Sequence, residues 1–280
     1  MQPFFLPTRH GKLYGLHLPA QTPARAQLLW LPAFAEEANC CCRHIARAAR
    51  ECQQRGYDSL LLDLSGTGES DGELADADWT IWQENTLDAV AWLRARSAAP
   101  IWLVGVRAGA LLAAALARGE QAASQLAGVV TWQPVSSGRA VLDGFLRLAM
   151  TAGWTNGNGG NGGEGASAVL SALRARLAAG ETVEVAGYAM NAAMATALAR
   201  EDFVQNFPST LPVACMEFRS EAQHSPALLR LNESLQKAGV AVRSSVSIAA
   251  PFWQAHEAAL TPGLGDALAD LLSDVPERAA

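Results

Sequence analysis

Short unbroken apolar runs alternate along this chain with longer stretches in which apolar residues recur every third or fourth position. Residues 27–31, 57–64, 101–105 and 128–132 are runs of the first kind, and unbroken runs of this length predict strands covered on both faces. Helical patterns lie between them. Residues 39–55 carry Ile45, Ala48, Ala49 and Cys52 on one face and stop at Gly56. Residues 80–96 carry Trp82, Thr86, Val90 and Leu93 behind a capping-box pattern, Thr80-x-x-Gln83. Residues 108–118 are rich in Ala and Leu. A hairpin, 3–8 with 13–18, precedes the series around Arg9-His10-Gly11-Lys12. Strand alternating with helix from 27 to 133 predicts an α/β fold: a mostly parallel sheet with helices on both faces, and function beyond the carboxyl ends of its strands.

The rhythm breaks at 139–200. A helix over 139–152, a Gly/Asn-rich loop over 155–165, a helix over 167–178, an extended piece at 182–187 and a helix over 191–200 predict a helical cap or lid spanning about 136–208. The Gly/Asn-rich loop is expected to be mobile, because it has too little apolar surface to offset its ordering entropy. The sheet pattern resumes at 212–218 and 240–248 around a helix at 226–238, with a last helix at 262–272. No internal repeat or interdomain linker interrupts residues 1–280, so one domain with an insertion is expected.

The most informative stretch joins strand 101–105 to helix 108–118. Gly105 and Gly109 bracket Arg107, the shape of a G-x-S-x-G nucleophile elbow with arginine in place of serine. Composition narrows the class. Half of the 280 residues are hydrophobic and 17% are charged, enough for a sizeable core, and a net charge of −6 argues against nucleic acid as a partner. No run reaches membrane-spanning length. The first residues lack a basic stretch followed by a long apolar one, which predicts no cleaved leader. Five cysteines, three of them consecutive (Cys40, Cys41, Cys42), suit reduced thiols in a cytoplasmic protein better than disulfides, and their spacing predicts no metal site.

Several motifs in order carry a family likeness: Pro32-Ala33-Phe34-Ala35-Glu36-Glu37-Ala38-Asn39, Asp63-x-x-Gly66-x-Gly68-x-Ser70, Gly105-x-Arg107-x-Gly109, Trp132-Gln133-Pro134-Val135, Ala186-Gly187-Tyr188 and Phe252-Trp253-Gln254. On these the chain resembles the α/β-hydrolase superfamily over nearly its whole length. More narrowly, it is similar to the exosortase A system-associated hydrolases, type 2, encoded near bacterial exopolysaccharide and exosortase loci. The resemblance implies the α/β-hydrolase fold and no cofactor, and it supplies no substrate.

Superfamily chemistry needs an elbow serine, a histidine base after the last strand and an acid that orients it. Arg107 has no lone pair to attack with. It can bind an anion at the start of the following helix, or pair internally with Glu36 or Glu37. Those two carboxylates have the wrong sign for an oxyanion hole and are candidates for a general base. His256 follows the last predicted strand, where the superfamily histidine belongs, and Glu221 is the candidate acid. Cys40, Cys41 and Cys42, at an expected helix start, are candidate thiolates. Ser65 and Ser70 read as turn residues. Trp132 and Trp253, at strand ends, are candidate pocket walls. Two functions stand. One is an ester, thioester or amide hydrolase of an exosortase/exopolysaccharide system acting on a small-molecule or acyl substrate. The other is a non-catalytic binding or scaffold protein in which Arg107 pairs internally or holds an anionic ligand.

Overall fold

The computed structural model describes residues 1–21, 23–155, 162–255 and 258–273. Among the described residues, ten strands and nine α-helices follow in chain order: β1 (Gln2–Thr8), β2 (Gly11–Leu18), β3 (Gln27–Leu31), α1 (Glu36–Gln54), β4 (Asp58–Leu62), α2 (Trp79–Arg94), β5 (Ile101–Val106), α3 (Gly109–Ala117), α4 (Glu120–Ala123), β6 (Gly128–Trp132), α5 (Gly138–Thr155), α6 (Gly162–Ala178), β7 (Val183–Val185), β8 (Tyr188–Met190), α7 (Ala192–Arg200), β9 (Val213–Arg219), α8 (Pro226–Lys237), β10 (Val242–Ile248) and α9 (Leu264–Ser273).

Eight strands form one sheet in the order β1-β2-β4-β3-β5-β6-β9-β10. β2 pairs antiparallel with β1 and with β4, and every pair from β4 to β10 is parallel. The chain leaves β3 toward β4 and then crosses back to β5 on the other side of β3. This reversal opens a crevice between the ends of β3 and β5. The central strands are buried on both faces, which is why they read as unbroken apolar runs. Alternate residues serve different layers. Leu29, Leu31 and Leu103 pack with α2 and α3, whereas Leu28, Trp30, Trp102 and Val104 pack with α1 and α9.

Between β6 and β9 the chain makes its excursion: α5, α6, the hairpin β7–β8 and α7. It leaves and rejoins the sheet side by side. Ser137 bridges Asp202, the Gly138 amide donates to Glu201 (2.9 Å), and the Phe203 amide donates to Ser136 (2.9 Å). Arg118, at the C-cap of α3, pairs with Glu201 at this neck.

Several boundaries differ from the sequence reading. The expected extended piece at 182–187 is the first strand of a hairpin, turned by Ala186 and Gly187, both at positive φ. Helix α5 runs to Thr155 and α6 starts at Gly162, so both helices reach into the span read as a Gly/Asn-rich loop. The mobile-loop expectation otherwise falls on residues 156–161, outside the described residues. Helix α2 is capped by Asp78, whose carboxylate accepts from the Ile81 amide (2.8 Å), so Thr80 lies within the helix and does not cap it. Helix α1 starts at Glu36, three residues earlier than the pattern suggested, so the cysteines lie past its first turn. Among the described residues no helix is long and apolar enough to cross a membrane.

Glu51 of α1 fastens the last helix. Its carboxylate accepts from the Gly263 (3.0 Å) and Gly265 (2.9 Å) amides, free donors at the start of α9, and from Arg47 (2.9 Å). Burial alone would raise its pKa, but these donors outweigh it and hold the value below the ordinary range. A depressed carboxylate contributes stability above the unfolded pKa of about 4.3 and loses it as pH falls through the folded value. Glu51→Gln is therefore expected to lower stability at pH 7 by about 1–2 kcal/mol. Urea unfolding should show the gap from wild type narrowing toward pH 3; an equal gap at both pH values would contradict the assignment.

Candidate functional site

The elbow is forced by contact. A Cβ on Gly105 would stand 2.4 Å from the Ala110 Cα, and one on Gly109 would stand 2.3 Å from the Leu31 carbonyl oxygen, so α3 can press onto the ends of β3 and β5 only through glycine. Between them Arg107 adopts φ +53°, and its amide donates to the Trp132 carbonyl (2.9 Å). Two neighbours also have positive φ: Ala35 (+50°), before α1, and Gln133 (+49°), after β6. Three non-glycine residues at positive φ thus surround one crevice, each holding roughly 1–3 kcal/mol of strain.

The structure pairs Arg107 with Glu37. Nε donates to Oε2 (3.1 Å) and Nη2 to Oε1 (2.7 Å), a two-pronged fork on one carboxylate. Nη1 reaches toward the Gln133 carbonyl at 3.5 Å. The second N–H of each terminal nitrogen has no protein acceptor among the described residues. The pair is not sealed: the Arg107 side chain is 20% exposed and that of Glu37 32%. Trp253 lies 5.3 Å from the guanidinium carbon, ring toward cation.

Arg107 and Trp253 line a groove of about 950 Å³ at the ends of β6, β9 and β10. Phe218, Leu228, Leu231 and Ile248 supply an apolar wall, and Glu217 and Arg219 supply polar groups. Trp132 lies beneath this groove and not on its wall. It is fully buried, edge-on to Trp30 and Phe218, with its indole N–H at Met216 Sδ (3.1 Å). The alternation of β6 turns it to the α1–α9 face, into the core.

Glu36 does not share the partner of Glu37. It accepts from the Tyr188 hydroxyl (2.7 Å), which also receives the Asn39 side-chain amide (2.7 Å). Burial, followed by the Glu36 carboxylate, raises the Tyr188 pKa and keeps the phenol protonated. The hairpin of the insertion is thereby tied to the start of α1, one residue from the Arg107–Glu37 pair.

The thiols of Cys40 and Cys41 are not activated. Burial and the charges of Glu36 and Glu37 raise the Cys40 pKa; burial, then Glu37, raises that of Cys41. Their position past the first turn of α1 removes the helix-end effect expected of them. Glu221 is exposed and does not line the groove. Glu217, the residue unmarked by sequence reasoning, is buried at the end of β9. It accepts from the Ser225 amide (2.8 Å) and lies 3.9 Å from Arg219 and 4.0 Å from His224. A lone acid inside an otherwise apolar strand run, Pro212 to Phe218, was the available signal. His256, the candidate base, lies outside the described residues.

No protein-family model matches the chain, and no curated protein matches its sequence. Solved structures do match its fold. Est1E from Butyrivibrio proteoclasticus, solved with ferulic acid, superposes with a TM-score of 0.62 at 14% identity over 97% of this chain and 96% of that one. Proline iminopeptidase from Mycobacterium smegmatis gives 0.62 at 16% identity over 97% and 98%. Mouse alpha/beta hydrolase domain-containing protein 10 gives 0.59 at 13% identity over 98% of each chain. The chain has the α/β-hydrolase fold.

If the fork joins Arg107 to Glu37 energetically, removing either partner strands the other. Arg107→Ser and Glu37→Gln are each expected to destabilise by about 1–2 kcal/mol, below the range for a sealed pair because both side chains reach solvent. The double variant should lose less than the sum. Chemical denaturation of the four proteins measures this, and additive losses would show that the two side chains are uncoupled.

Proposed function

We propose that this protein is a hydrolase-fold member of the exosortase-associated type 2 group that binds an anionic small molecule or acyl compound at its elbow, without an elbow nucleophile. One observation carries the reading: a partly exposed arginine, with two N–H groups free of acceptors among the described residues, stands at the tip of the strained elbow on the floor of an open groove. A guanidinium cannot attack a carbonyl, but it is well suited to hold a carboxylate or phosphate. Glu37 orients the fork from one side, and the ligand meets the remaining N–H groups from the groove. Trp253, Phe218, Leu228 and Ile248 receive its apolar body. Arg219, whose nearest carboxylate contact is long, gives the groove a second cation. The insertion between β6 and β9 acts as the cap of this single domain, and the protein works in the cytoplasm of a bacterium that carries an exopolysaccharide system.

The competing reading is an ester, thioester or amide hydrolase with His256 as base. One panel separates the two. Calorimetric titration with octanoate and phenyl phosphate is expected to show saturable binding by at least one, weakened tenfold or more in Arg107→Gln. Aryl esters and acyl thioesters should turn over at background rates. Turnover that disappears in His256→Ala would overturn the binding reading in favour of a hydrolase.

A further inference from the structure

The two edges of the eight-stranded sheet differ in how they meet solvent. β1, at one edge, carries Pro3 and Pro7, which have no amide to offer a further strand. β10, at the other edge, is Val242-Arg243-Ser244-Ser245-Val246-Ser247-Ile248. It pairs with β9 over all seven residues without a bulge, and it holds no proline, no lysine and a single charge. All of its residues are half-buried or exposed, and Ile248 is 57% exposed. An edge without these guards is a template for another strand.

The ladder to β9 decides which backbone groups face outward. The Val213 amide donates to the Ala241 carbonyl (2.9 Å), and the Ala249 amide donates to the Arg219 carbonyl (3.0 Å). A parallel ladder engages alternate residues, so 241, 243, 245, 247 and 249 direct their backbone groups to β9. Val242, Ser244, Val246 and Ile248 turn theirs to the open edge. A two-fold interface needs a surface complementary to itself, and this strand has one. About an axis at Ser245, Val242 meets Ile248 and Ser244 meets Val246 of an antiparallel copy. These are the residues with outward groups, so each pair exchanges both hydrogen bonds.

The side chains agree with that register. Val242 covers the exposed Ile248, and Arg243, the single charge, meets Ser247. Ser245 meets its own copy on the axis. Its hydroxyl is buried and has no hydrogen-bond partner among the described residues, and serines facing each other across such a pair supply one. Moving the axis to Arg243 would set two guanidiniums face to face. Moving it by one residue leaves Val242 or Ile248 beyond the end of the other strand. We propose that β10 is the pairing edge for a second copy of this chain, antiparallel about Ser245, so that one sheet runs through the dimer. Ile248 also lines the elbow groove, so the interface reaches the rim of that groove whatever the groove binds.

Sedimentation equilibrium of the full chain over a dilution series is expected to show monomer and dimer exchanging. Ser247→Glu places a carboxylate opposite Arg243 of the other copy, twice per dimer, and should tighten the dimer at least threefold. Ser247→Arg sets like charges there and should weaken it at least threefold. Ser245→Cys, a near-isosteric change, should yield a covalent dimer in oxidised glutathione beyond what the native cysteines give in wild type, and Ser247→Cys should not. Opposite shifts from the two charged variants, with cross-linking gained only in Ser245→Cys, support the register. A monomer at every concentration, shifts in the same direction or none, or no cross-link gained in Ser245→Cys would overturn the proposal.

Discussion

The approach of α3 to the ends of β3 and β5 is the constraint on which the rest of this structure depends. Two glycines let a helix start within van der Waals contact of two strand ends, and nothing larger fits at either. The price is a left-handed residue between them, and similar turns at Ala35 and Gln133 bring the loops after β3 and β6 to the same point. Once those three loops converge, the side chain at 107 must project into the crevice. Arginine there creates a charge that the fold has to satisfy, and Glu37 in the first turn of α1 satisfies half of the fork.

The β3 loop then divides the molecule into two chemically different sides. Toward β6, β9 and β10 the groove holds Arg107 and Arg219 with their carboxylate neighbours, a balanced set open to solvent. Toward β4 the loop that follows that strand carries Asp63, Glu69, Asp71 and Glu73 and no basic residue. The Glu36–Tyr188 and Glu37–Arg107 contacts stand back to back on adjacent residues of α1. One helix start thus serves both sides, tying the inserted hairpin with one carboxylate and the elbow with the next.

Much of the architecture was legible because burial on both faces leaves a direct mark. β3 and β6 were bounded to the residue by their unbroken apolar runs, and β5 to within one. Local signals competed where side chains bond to backbone. Asp78 took the cap that Thr80-x-x-Gln83 advertised, and α1 began at Glu36 because a strained Ala35, with no side-chain cap, ends the loop before it. The elbow itself was readable from Gly105, Arg107 and Gly109. Pairing across it was not decidable from spacing: Glu36 and Glu37 are adjacent, and only the turn at Ala35 determines which faces Arg107. Trp132 and Glu217 show the same difficulty from the strand side. At the end of a strand one residue of register separates a pocket wall from the core, and that register depends on neighbours far away in the chain.

The backbone strain at position 107 does not depend on the arginine it carries. Its φ of +53° is imposed by the flanking glycines and by the hydrogen bond to Trp132, not by the identity of its side chain. The scaffold therefore presents whatever residue stands there with the same geometry. A long cation at this point needs a counter-charge within reach, and the first turn of α1 supplies it through Glu37.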